Sequence, residues 1–298
     1  MRVLITGGSG VVGWSLARHA LALGREVHLT YLSHPLRLEG AQAHALDVTD
    51  EAAVAALIAR VCPDAVYHCA ALTSVDLCET QPALGRLHNT TATGFVAHAA
   101  ASAGATLLYL STSFVFGASL APLSEQAPCH PATRYGESKA EGEREVRRAG
   151  DDHLILRIDQ PYGWVEAHQK QNTVVRVVHA LEAGQAVREP SDWFNSPTCL
   201  NDFVLLAEAL RSRSKRGTYN CVGADFLSRY EWAQRIARAF GLDGSRVSSF
   251  PSSELKLPAL RPRVRLDISK AQADAGRPIC GIDAGLADMV RTRPRAPP

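Results

Sequence analysis

Arg2-Val3-Leu4-Ile5-Thr6-Gly7-Gly8-Ser9-Gly10-Val11-Val12-Gly13 is the stretch whose reading decides the fold. A short aliphatic run stops at a glycine cluster, and Val12, Leu16, Ala20 and Leu23 then recur at three- and four-residue spacing. The pattern predicts strand, tight turn and helix, the context in which a glycine motif binds a dinucleotide. Its glycines turn the chain, admit the pyrophosphate to the backbone, and let helix pack on strand. Val11 and Val12 open the helix, whose first N–H groups and positive dipole end face the phosphates. Two spacings overlap: Gly8, Gly10 and Gly13 fit G-x-G-x-x-G, and Gly7, Gly10 and Gly13 fit G-x-x-G-x-x-G.

Outward from this turn the first half alternates strand and helix patterns. Strands are expected at Val3–Thr6, Val27–Thr30, Ala43–Leu46, Ala65–His68, Thr106–Ser111 and Leu154–Ile158, with helices near 11–23, 51–61, 83–103 and 136–149. This is the signature of βαβ units with right-handed crossovers. The expected class is α/β, a Rossmann-type doubly wound parallel sheet with a smaller C-terminal substrate-binding lobe. Residues 1–158 form the dinucleotide-binding domain, 201–222 return to it, and 159–298 mainly build the lobe. In that second half helices are expected at 170–183 and 202–213. A strand is expected at Thr218–Val222, and Ser228 with Glu231 makes a capping box for a helix ending at Phe240. The last residues, Arg293 to Pro298, are expected to fray.

Composition narrows the function. The 298 residues are 46% hydrophobic and 21% charged, as in a soluble globular protein. A net charge of +2 gives no footprint of a nucleic-acid binder. No apolar run is long enough to span a bilayer, and the amino end enters a strand at once, so the expectation is cytoplasmic. Seven scattered cysteines without a C-x-x-C pair read as buried thiols, and no histidine spacing suggests a metal. Residues 246–298 hold ten Lys/Arg against five Asp/Glu, a basic segment that is either solvated surface or the seat of an anionic ligand.

An NAD-preferring site carries an acid about 20 residues beyond the glycines. Here the second strand ends in Leu29-Thr30-Tyr31-Leu32-Ser33-His34 without one, and Ser33, His34 and Arg37 can receive a 2′-phosphate. The expected cofactor is NADP(H), with NAD(H) as the alternate. Asp47-Val48 either brackets an adenine or forms a turn before a helix cap at Thr49 or Asp50. The second informative stretch is Tyr135-Gly136-Glu137-Ser138-Lys139. Tyr and Lys at i and i+4 share a helical face, and a nearby ammonium lowers a phenol's pKa from about 10. Ser111-Thr112-Ser113-Phe114 stands upstream, at the end of the fifth strand, with hydroxyls aimed into the cleft.

With these residues in order the chain resembles the extended short-chain dehydrogenase/reductases, and within them the dTDP-4-dehydrorhamnose reductases. The narrower likeness rests on Phe114-Val115-Phe116-Gly117, Asn195-Ser196-Pro197-Thr198 with Asp202, Gly217-Thr218-Tyr219-Asn220, and Arg261-Pro262-Arg263-Val264-Arg265-Leu266-Asp267-Ile268-Ser269-Lys270. The resemblance covers about residues 1 to 275 and implies roles. Thr112 positions a 4-keto oxygen, Tyr135 protonates it, and Lys139 lowers the tyrosine pKa and binds the nicotinamide ribose. Gly7, Gly10 and Gly13 cradle the pyrophosphate, and Ala70 and Ala71 pass beside the cofactor.

Two departures fall where substrate is read. The family commonly has Asp and Tyr where Ser113 and Phe114 stand, and a Thr-Ser-Trp-type run where this chain has Arg157-Ile158-Asp159-Gln160. Thr73, Ser113, Phe114, Gln160 and Arg261 are the expected substrate contacts. Arg261, Arg263 and Arg265 are either diphosphate clamps or surface charge. Trp193-Phe194 reads as core rather than pocket, and Asp76 and Glu79 as helix caps.

The implied activity is NADPH-dependent reduction of a nucleotide sugar, a small-molecule substrate. A 4,6-dehydratase calls for Thr-Asp-Glu at the strand-five site, and an NAD-retaining epimerase for the missing strand-two acid. A non-catalytic alternative is the regulatory β subunit of methionine adenosyltransferase, which shares the Arg-Pro…Leu-Asp segment and would bind NADP and a protein partner. The superfamily often forms a homodimer through helices such as 83–103 and 136–149, and monomers also occur.

Overall fold

The structure is a computed structural model that describes residues 1–33 and 35–294. His34 and residues 295–298 lie outside the described residues, and with them one expected phosphate contact and most of the terminal stretch expected to fray. Strand β1 (Arg2–Thr6) leads through the glycine turn into α1 (Val11–Ala22). The chain continues through β2 (Glu26–Tyr31), β3 (Ala41–Ala45), α2 (Glu51–Val61) and β4 (Ala65–His68). Asp50 caps α2 by accepting the Ala53 N–H at 3.0 Å.

After the short α3 (Val75–Thr80), the helix expected at 83–103 forms as one continuous run whose middle is a π turn: α4 (Pro82–Arg86), the π-helical turn at Leu87–Thr91, and α5 (Ala92–Ser102). The physical reason for the π turn sits inside it. The fully buried Asn89 side chain accepts the Leu72 N–H at 2.8 Å and donates to Leu72 O and Ser138 Oγ at 3.0 Å. A polar side chain taken out of water needs such partners, and the extra residue in the turn lets it reach them. It thereby ties the loop after β4 to the helix carrying Tyr135.

Strands β5 (Thr106–Thr112) and β6 (Ser119–Leu123) precede α6 (Arg134–Ala149), and β7 (His153–Ile158) follows it. Thr133 caps α6 through the Gly136 N–H. Beyond β7 come α7 (Thr173–Glu182), β8 (Val187–Pro190), β9 (Phe194–Asn195), α8 (Leu200–Ser212) and β10 (Gly217–Asn220). The chain ends through β11 (Leu227–Ser228), α9 (Arg229–Ala239), β12 (Val247–Phe250), β13 (Val264–Leu266), α10 (Ser269–Ala275) and α11 (Ile282–Arg291). The Ser228/Glu231 capping box forms as expected.

The central sheet has the order β10-β7-β5-β4-β1-β2-β3, and every pairing in it is parallel. This is the doubly wound order with one further edge strand, β10. Its inner strands are buried on both faces and read as continuous apolar runs such as Val3-Leu4-Ile5 and Leu154-Ile155-Leu156, whereas the edge strand β3 is largely exposed. One core packs α1, α8 and α10 on one face, around Leu16, Phe203 and Ala271. The other packs α2 and α5 opposite, around Leu57 and Val96. A third cluster, centred on Trp232, Val177 and Leu286, belongs to the second half. Strands β6 and β13 pair in parallel, fastening a late segment beside the end of β5. No helix among the described residues is long and apolar enough to cross a membrane.

Candidate active site

The carboxyl ends of β1, β4, β5 and β7 open into one cleft of about 1290 Å³. That exceeds the roughly 300–1,000 Å³ of a pocket for one drug-sized ligand, so a dinucleotide and a second molecule fit together. One wall carries Gly7, Gly10, Val11, Val12 and Gly13, and the facing wall carries Gln160, Trp193, Arg229 and Arg261.

The glycine turn resolves the two overlapping spacings. Gly7 has φ of +67°, and a Cβ there would stand 2.6 Å from the Ala70 nitrogen. A Cβ on Gly13 would stand 2.5 Å from the Gly7 oxygen. Both contacts are with backbone that cannot swing aside, so neither position admits a side chain; Gly7, Gly10 and Gly13 line the cleft, whereas Gly8 packs against Leu29. The turn then opens a twelve-residue helix whose first N–H groups face the cleft. The residues present therefore fit a dinucleotide. Leu32, Ser33 and exposed Arg37 line the end of β2, with no carboxylate among the described residues there.

Ala71 and Thr73 line the cleft, but Ala70 does not: its backbone is pressed against Gly7. Asp47 and Val48 are also absent from the lining. The Asp47 carboxylate turns back to the Thr49 N–H and hydroxyl at 2.9 and 2.7 Å, and Val48 is packed in the core below α2. The turn reading of that dipeptide is the one realised in this structure.

At the far end of the cleft Thr112 closes β5 and Tyr135 stands in the first turn of α6, and both line the cleft. Phe114 meets the Tyr135 ring edge-on at 5.8 Å between centroids. Burial pushes the Tyr135 phenol well above its ordinary range, with the Thr112 hydroxyl opposing this. The expected lowering by Lys139 is not what the structure shows. Lys139 donates to Leu110 O at 2.8 Å and lies 4.1 Å from the Tyr109 ring centroid, and burial brings its ammonium down to about 7. The neutral phenol is a proton donor at pH 7, and Lys139 lines the cleft one helical turn farther on.

Beneath these groups lies a fully buried carboxylate. Glu143 accepts Arg157 Nε and Nη2, both at 2.8 Å, and the Ser111 hydroxyl at 2.7 Å. Burial alone would raise its pKa, but the Arg157 guanidinium holds it below the ordinary value. Ser111 is thus bound below the reacting groups, and Thr112 is the strand-end hydroxyl that meets Tyr135.

The substrate-facing wall differs most from expectation. Trp193 is half-buried and lines the cleft, flanked by the Arg229 and Arg261 guanidiniums at 5.1 Å each. Asp76 caps nothing; it accepts Arg261 Nη2 at 2.7 Å and the Ala259 N–H at 3.2 Å. Ser74 caps α3, and Glu79 accepts the Arg134 N–H. Arg261 reaches the cleft, whereas Arg263 and Arg265 are exposed outside its lining. Gln160, with φ of +39°, accepts from Arg229 at 3.1 Å. Ser113 is buried and lies outside the cleft lining.

Asp159, Asn89 and Arg229 were not among the expected contacts. Asp159 offered one signal, an acid directly after an apolar strand, where a ligand-facing side chain is placed in open α/β sheets. Asn89 and Arg229 offered none, because their partners are remote in the chain.

The family model described as the RmlD substrate binding domain matches residues 1–293. The dTDP-4-dehydrorhamnose reductase of Mycolicibacterium smegmatis is 32% identical over 279 residues, covering 92% of this chain and 80% of that one. The methionine adenosyltransferase 2 subunit beta of Xenopus laevis is 29% identical over 283 residues, covering 91% of this chain and 81% of that one. A solved dTDP-4-dehydrorhamnose reductase from Bacillus anthracis, in complex with NADP, superposes with a TM-score of 0.86. It is 25% identical and covers 97% of this chain and 98% of that one.

Proposed function

The chain belongs to the RmlD substrate binding domain family, and from that premise we propose that it is an NADPH-dependent reductase of a 4-keto deoxysugar nucleotide. The observation that carries the reading is the Thr112–Tyr135 hydroxyl pair, set in the same cleft as the Gly7/Gly10/Gly13 cradle. Bound NADPH supplies the hydride. Thr112 and Tyr135 hold the ketone oxygen, and the buried phenol gives its proton as negative charge develops there. Lys139, one helical turn beyond Tyr135, lines the same cleft and supplies a donor for a ribose hydroxyl. Ser33 and Arg37, in a stretch whose residues 32–38 include no acid, favour a 2′-phosphate over a bare 2′-hydroxyl. Arg261, held by Asp76 against Trp193, supplies positive charge for a nucleotide diphosphate.

The regulatory-subunit reading draws on the likeness to methionine adenosyltransferase 2 subunit beta. The two readings part in one assay, loss of reduced-nicotinamide absorbance with dTDP-4-dehydrorhamnose. The reductase reading expects ketone-dependent oxidation, faster with NADPH than with NADH at equal concentration. Tight NADPH binding with no oxidation by this or related nucleotide-linked 4-keto sugars would favour the subunit reading.

A further inference from the structure

Asp159 directly follows β7 and is only 4% exposed, yet it lines the cleft together with Thr112 and Tyr135. Its carboxylate takes the Ser196 N–H at 2.9 Å, with the Asn195 amide farther off at 3.4 and 3.5 Å. Arg229 acts on it through its charge, but that guanidinium is bonded to Glu189 and Gln160. A carboxylate has about four acceptor positions. Among the described residues only Ser196 fills one at normal length, the Asn195 amide sits at long range, and no cation is bonded to the group.

A buried carboxylate with spare acceptor capacity calls for a donor, because an under-satisfied charge out of water is costly. Nothing in the hydride or proton step as derived above uses it. We propose that Asp159 reads the substrate, its carboxylate accepting a hydrogen bond from the hydroxyl on the carbon next to the ketone. This rests on the reductase reading and adds a specificity residue to it. The placement follows from the sheet: Thr112 pairs with Ile158 across β5 and β7, so Asp159, one residue on, stands at the same end of the cleft as the Thr112 and Tyr135 that hold the ketone oxygen. In a 4-keto-6-deoxy sugar the ketone is flanked by a hydroxyl-bearing carbon and a methyl-bearing one. Only the first offers a donor.

The discriminating experiment is calorimetric titration of dTDP-rhamnose, and of its analogue lacking the 3-hydroxyl, into the protein saturated with NADP⁺. At pH 7.5 the wild type is expected to bind the parent roughly 10- to 100-fold more tightly than the deoxy analogue, the range of a charge-assisted hydrogen bond. In Asp159→Asn, which keeps an acceptor for the Ser196 N–H, the ratio is expected to fall to about 3-fold or less, with NADP⁺ affinity unchanged. Burial pushes the Asp159 carboxyl up to about 6. The wild-type ratio is therefore expected to shrink as pH falls from 7.5 to 5, while the variant's stays flat. An equal ratio in both proteins, a parallel loss of NADP⁺ affinity, or failure of the wild type to bind dTDP-rhamnose would overturn the proposal. Binding is read without turnover, so a protein that binds the sugar selectively through Asp159 yet oxidises no NADPH would sink the reductase reading alone.

Discussion

Replacing Tyr135 by Phe is expected to lower ketone-dependent NADPH oxidation by about 10²- to 10⁴-fold, the usual contribution of a positioned general acid. The substitution removes one oxygen from a ring that keeps its contact with Phe114, so the fold and NADP⁺ affinity are expected to survive. Thr112 is expected to keep its place, because its Oγ accepts the Phe114 N–H at 3.3 Å. The loss should therefore appear in kcat, with KM for the ketone changed only severalfold. Steady-state kinetics beside a fluorescence titration of NADP⁺ checks both halves. Activity retained within threefold would mean that the proton comes from elsewhere, and the role assigned to the Thr112–Tyr135 pair would fall.

The second large effect concerns stability. Arg157→Leu strips the bidentate partner from Glu143, leaving a carboxylate with no exposure and only Ser111 and Arg147 beside it. Breaking one side of a buried ion pair costs about 3–5 kcal/mol when the remaining charge is left alone. Here the half-exposed Arg147 still bonds Glu143 at 2.9 Å, so a loss of about 2–3 kcal/mol is expected. Replacing both residues with leucine is expected to recover most of that loss. Denaturant unfolding of the single and double variants at pH 7 measures it. The sign with pH follows from the direction of the shift: Arg157 holds the Glu143 carboxyl below its ordinary value. The stabilisation is thus full above about pH 4.5, the ordinary glutamate range, and is lost as pH falls through the folded value. If single and double variants unfold alike at pH 7, the pair is not what secures α6 to β5 and β7.

The legible parts of this molecule are those whose physics is local. A strand, three spaced glycines and a helix sit within the 21 residues from Arg2 to Ala22, so the turn follows from the sequence. Tyr135 and Lys139 are close in sequence for the same reason, and helical geometry brings them to one side. Their electrostatic relation was not legible. It depends on Leu110 and Tyr109, which burial and strand pairing bring to the ammonium. Asn89 was hidden because a π turn is set by tertiary hydrogen bonds to Leu72 and Ser138, not by periodicity. Trp193 and Asp76 were read locally, as core and as cap. Their partners Arg229 and Arg261 arrive from α9 and from the segment before β13, after long excursions of the chain. Asp159 combines both cases: its position at a strand end is local, but its burial is imposed by Asn195 and Ser196.

The central claim is direct transfer of hydride to the carbonyl carbon of a nucleotide-linked sugar held by Thr112 and Tyr135. Its most direct test is a single incubation of the protein with dTDP-4-dehydrorhamnose and NADPH deuterated at the transferable C4 position, followed by mass spectrometry and NMR of the sugar. The account predicts one deuterium in the product, located at carbon 4 of the sugar ring. Unreduced sugar alongside fully recovered deuterated NADPH, or a reduced sugar without the label, would contradict it.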